Sequence, residues 1–234
     1  MAQMAMKLSS TLGKRALAWM QVGPPALDVL TEYRALKDQG TVAVFGVEDY
    51  SDAQIEAAHA SLGLLTVQAE INLLSQPAPS TVALCERIGC RFVGYGPLLG
   101  GLLADRYLGA PRPPLMDVDH REYFYTVDAW GGWGAFQKLL QVLRRVGDRH
   151  QTAPDALPAS ISTVALAYVL SLPRMLSVIV GVRLGVKKDH RHETLAALAL
   201  ELAPMDVSEI DSAVFHSDPS CRSEQCAFLR KYRG

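Results

Sequence analysis

The sequence predicts an α/β fold in which a parallel sheet of about five strands is covered by helices. Three observations carry that expectation. Short apolar runs rich in β-branched residues begin near residues 16, 41, 64, 91 and 177. Segments with apolar residues at helical spacing separate them, and Gly40 and Gly89 close two of those segments. The runs are nearly continuous rather than alternating, as expected of strands buried on both faces of a parallel sheet.

The first run, "ALAWMQV" (16–22), reads as a strand. "PALDVLTEYRALKDQG" (25–40) places Leu27, Leu30, Tyr33 and Leu36 on one helical face and ends at Gly40 as a C-cap. "TVAVFGV" (41–47) is a buried strand, and "SDAQIEAAHASLG" (51–63) a helix capped by Ser51 or Asp52. A strand "LLTVQAEIN" (64–72), a helix "APSTVALCERIG" (78–89) and a strand "RFVGYG" (91–96) follow. "APRPPLMDVDHREYF" is expected to form a long loop that leads into a helix starting at "WGGWG". "SISTVALAYVLSLP" is a further helix and "SVIVGV" (177–182) the last strand. "KKDHRHETLAALALEL" and "SEIDSAVF" close the pattern as helices.

Composition narrows the function classes. A chain of 234 residues with net charge -1 has room for a sizeable core and no global attraction for nucleic acid or anionic membrane. Its apolar windows fall short of the ~20 residues a spanning helix needs. Cys85 and Cys90 read as buried free thiols; Cys221 and Cys226 lack common zinc spacing. His190 and His192 stand two apart, so a helix turns them to different sides, and no metal site is expected. The first 27 residues contain Lys7, Lys14 and Arg15 but no acid. That asymmetry makes chloroplast or mitochondrion the alternative to a cytoplasmic expectation.

Five segments together resemble the aldo-keto reductase family: "GTVAVFGVEDYSDAQI", "TVQAEINLLSQ", "CERIGCRFVGYGPLLGGLL", "WGGWGAFQKLL" and "ISTVALAYVLSLPRMLSVIVGVRLG". The likeness runs from about residue 16 to 215, leaving 1–15 as an unassigned leader and 216–234 as a tail. The resemblance implies a (β/α)8 barrel with its site at the carboxyl ends of the strands. The match begins at about the family's fourth strand, and 15 residues cannot encode three strands and three helices. The expectation is therefore an incomplete barrel.

The family reduces carbonyls with NADPH through an Asp, Tyr, Lys and His tetrad. The resemblance puts the first three on strands before the match, and the His in a His-Trp pair closing the fourth strand. This chain has Trp19 and Met20 there, so no catalytic residue is assigned.

The resemblance also implies an NADP-binding set. Glu48-Asp49 stands where the family carries Ser/Thr-Asn for the nicotinamide carboxamide, and an ionised carboxylate cannot donate. Gln68 matches the carboxamide-binding glutamine, and Tyr95 the aromatic that stacks on the ring. Gly96, Pro97, Leu98, Leu99, Gly100 and Gly101 match the pyrophosphate loop, with Gly96 in place of a serine. Gly181, Val182 and Arg183 match the adenosine end, and Glu193-Thr194 replaces the family's Glu-Asn. Each residue also has a plainer reading: Gln68 and Tyr95 as strand-end packing, Arg183 and "VKKDHRH" as a solvated helix start.

An open five-stranded sheet leaves bare edges, which ask for a protein partner or a second copy. Two functions follow. One is a non-catalytic structural or binding component with at most residual NADP(H) affinity. The other is an NADPH-dependent aldehyde or ketone oxidoreductase completed by another chain or copy.

Overall fold

The computed structural model describes residues 16–20, 27–114, 118–151, 158–181 and 190–215. The leader, the tail with Cys221 and Cys226, and Val182 and Arg183 lie outside the described residues. Five strands form one sheet in the order β1-β2-β3-β4-β5. They are β1 (Ala16–Met20), β2 (Val42–Glu48), β3 (Leu64–Glu70), β4 (Arg91–Tyr95) and β5 (Met175–Ile179). The β1–β2 and β2–β3 pairs are parallel, as the near-continuous apolar runs require. Among the described residues β1 and β5 each have one strand neighbour.

The helices are α1 (Leu27–Asp38), α2 (Asp52–Leu62), α3 (Pro79–Ile88), α4 (Val118–Trp130), α5 (Gly132–Arg149), α6 (Ile161–Leu170), α7 (Arg191–Ala196) and α8 (Pro204–Phe215). Contacts divide the chain into two compact units. One is drawn from residues up to Ala69 with Ser80–Val93, the other from Glu70–Pro79 with residues from Gly94 on.

In the first unit, Phe45, Val47, Ile55 and Leu62 are buried where α2 crosses from β2 to β3. Ser51 caps α2: Gln54 Oε1 accepts the Ser51 N–H at 2.9 Å, half of a capping box. Gly63, at φ +64, ends the helix in the left-handed conformation and donates to the His59 carbonyl. Arg34 Nη1 donates to the Ser61 carbonyl at 2.6 Å and Lys37 Nζ to that of Leu62, so α1 binds the carbonyl end of α2. Cys90 is buried, its Sγ 3.2 Å from the Leu64 carbonyl. Cys85 is buried too, and neither cysteine is in a disulfide, as expected.

In the second unit, α5 buries Phe136, Leu139, Leu140, Leu143 and Val146, a helical stripe. Helix α6 is buried on nearly every side from Ile161 to Val169. Ser160 caps it by accepting the Thr163 N–H at 3.1 Å.

The last strand begins at Met175 rather than 177 and the final helix at Pro204, ahead of "SEIDSAVF", and three further elements differ from expectation. The expected long loop holds helix α4 from Val118, because Phe124 and Val127 are buried on one face of "EYFYTV". Strand β3 stops at Glu70, short of residue 72, because Asn72 turns the chain: its Oδ1 accepts the Leu74 and Ser75 N–H groups at 2.9 and 2.8 Å. The helix expected over "KKDHRHETLAALALEL" is regular only over Arg191–Ala196.

Candidate functional site

Strand ends supply the first group of candidates. Glu48 and Gln68 are register partners on β2 and β3. Gln68 Nε2 donates to Glu48 Oε1 at 2.6 Å, so part of its donor capacity is engaged within the sheet. Asp49 follows at φ +55, a left-handed conformation that Asp tolerates better than most residues, and its N–H donates to the Gln68 carbonyl at 3.0 Å. The backbone here is held by β3, and the side chains that the sequence places in this corner are two acids and an amide.

The second group lies in the other unit. Tyr95 ends β4 and its carbonyl accepts the Ile71 N–H at 3.1 Å. Gly94, just before it, lets β4 pass close: a Cβ there would lie 3.2 Å from both Ile71 Cβ and Met175 Cε. Asn72, wholly buried, donates from Nδ2 to Glu70 Oε1 at 3.0 Å and to the Gly96 carbonyl at 3.4 Å. Its side chain therefore fixes the start of the turn 96–101.

Within that turn Gly96, Gly100 and Gly101 have φ of +61, +63 and +90, which explains the glycines. Leu99, between them, is also left-handed at φ +50, and its fully buried side chain holds it there. The N–H groups of Leu99, Gly101, Leu102 and Leu103 all donate to carbonyls of Gly96, Leu98 and Leu99, at 2.9 to 3.2 Å. Those four amides close the turn on itself. Its far end is anchored to α6: Ser162 Oγ donates to the Leu103 carbonyl at 2.7 Å, and Asp105 Oδ2 accepts the Ile161 N–H at 3.0 Å. Arg144 Nη1 pairs with Asp105 Oδ1 at 2.7 Å and completes the anchor.

The Gly-Gly-Trp helix start has a structural role. Trp133 Nε1 donates to the Ala110 carbonyl at 3.0 Å, and Gln137 exchanges hydrogen bonds with Tyr107 and Gly109. The first turn of α5 thus straps down the chain that leaves the glycine turn.

The remaining candidates are scattered. Gly181 is exposed just after β5, and Arg183 lies outside the described residues. Glu193 is on α7, where its carbonyl accepts from Thr163 Oγ1 at 3.0 Å and its carboxylate lies 3.4 Å from His190 Nδ1.

Sequence reasoning missed Tyr123. A Cβ built on Gly100 would lie 2.5 Å from Tyr123 Cδ2 and 2.8 Å from its Cε2, and one on Gly96 3.2 Å from its hydroxyl. The ring of α4 therefore rests on the bare backbone of the glycine turn. The apolar spacing of Tyr123, Phe124 and Val127 is the signal that would have placed a helix there.

The residues present do not fit NADP(H) as they are arranged. The glycine turn carries an aromatic ring on its open face, four of its amides are bonded internally, and Glu48-Asp49 offers no side-chain donor when ionised.

A parallel sheet with strand–helix alternation, and a glycine turn at the carboxyl end of β4, defines a barrel-type α/β domain. The chain belongs to the aldo/keto reductase family, whose model matches residues 12–214. A flagellar radial spoke protein 5 of Chlamydomonas reinhardtii is 31% identical over 135 residues, 52% of this chain and 26% of that protein. The Glycine max protein named "Probable aldo-keto reductase 1" is 24% identical over 191 residues, 81% of this chain and 51% of the relative. The chain thus spans about half the length of the second relative and about a quarter of the first. Among solved structures, the glycerol dehydrogenase of Gluconobacter oxydans matches with a TM-score of 0.70 at 14% identity, over 93% of this chain and 65% of that one. The fold is thereby shown to be that of part of a reductase barrel. No helix of the described residues is long and apolar enough to cross a membrane.

Proposed function

We propose that this chain is a non-catalytic aldo-keto-reductase-type component that works by association. In this reading residues 95–101 are an inherited dinucleotide seat, with Tyr95, Gly96, Pro97, Leu98, Gly100 and Gly101 as its remnant. Asp49, Gln68, Gly181, Arg183 and Glu193 are its outlying positions. One observation carries the reading. Trp19 and Met20 pair with Gly46 and Val47 at the carboxyl end of β1, where the family's proton-tuning histidine belongs. Neither side chain can hold or move a proton for a carbonyl substrate.

Two further observations support a role in assembly. Strands β1 and β5 each have a single neighbour among the described residues, and unpaired strand edges favour pairing with another chain. The radial spoke relative is named for a structural complex rather than for a reaction. The runner-up, a reductase completed by a second chain, draws on the same open edges.

The reading is tested with the full chain by sedimentation velocity and by NADPH oxidation with 4-nitrobenzaldehyde. A concentration-dependent species heavier than the 25.5 kDa chain, without turnover, is expected. A monomer at every concentration contradicts association by the chain with itself. Turnover in the associated species favours the runner-up.

A further inference from the structure

We draw no further inference here: the strongest candidate, the exposed apolar surface patch of Leu195, Leu198 and Met205 along α7, the turn after it and the start of α8, carries none because nothing among the described residues shows what covers it.

Discussion

Asp206 on α8 is 2% exposed and is the anchor of a charged cluster. It accepts from Arg149 Nε and Nη2 at 2.9 and 2.7 Å, lies 2.7 Å from His150 Nε2, and accepts the Ala203 N–H at 3.0 Å. Burial pushes its carboxyl up, but hydrogen bonds from His150, Arg149 and the Ala203 N–H outweigh that and hold it below its ordinary value. Arg149 and Arg145 likewise hold the Glu209 carboxyl down. A depressed folded pKa gives stability that is present above the unfolded value, near ~3.9 for Asp, and lost as pH falls through the folded one. The natural chain should therefore lose stability below about pH 4 more steeply than Asp206→Asn. At neutral pH the same substitution should cost about 2 kcal/mol in urea unfolding, since Arg149 is partly exposed and screened. An unchanged midpoint would remove this cluster from the account. None of it was legible in the sequence, where Asp206 and Arg149 stand 57 positions apart. By contrast the glycines of the turn were legible, because a left-handed backbone leaves a direct mark on residue choice. Gly100→Ala should destabilise the fold by about 2 kcal/mol, from positive φ and from the Tyr123 ring together, read as a lowered melting midpoint.

At the scale of elements, helix ends were read well where a cap is local. Ser51, Gly40 and Gly63 declare themselves because the residue that ends the helix is the one that satisfies its free backbone groups. The cap of α6 is of this kind, and Ser160→Ala should lower stability by about 1 kcal/mol in thermal unfolding. Helix α4 was not read, because three prolines at 111, 113 and 114 sit just before it and argue for loop. What makes it a helix is tertiary: Arg112 forms a bidentate pair with Asp128 at 2.9 and 2.8 Å, and Phe124 and Val127 are buried. Helix α5 carries a further dependence on long-range packing. A Cβ on Gly147 would lie 2.3 Å from the Ala159 carbonyl oxygen, which is backbone and cannot swing away. Gly147→Ala should therefore cost about 2 kcal/mol or more and loosen the chain that leads into α6. A substitution without effect on the melting midpoint would show that this approach is slack.

At the scale of the molecule, the parallel sheet and its strand order follow from near-continuous apolar runs and from the family likeness over residues 12–214. What a site does follows from fewer residues, and the proposed function rests on these. The carboxyl end of β1 carries Trp19 and Met20, the end of β2 carries Glu48 and Asp49, and an aromatic ring lies on the glycine turn. The family likeness assigns cofactor-binding positions one by one, and their role in this chain is a proposal. Their present use was not legible, because Gln68 and the turn amides take partners that only the folded chain brings together. The most direct test of the proposed function is the rate of NADPH oxidation with 4-nitrobenzaldehyde, measured on the natural chain. The background rate is expected, since Trp19 and Met20 supply no proton donor where the family's histidine belongs. A rate above background would contradict the proposal.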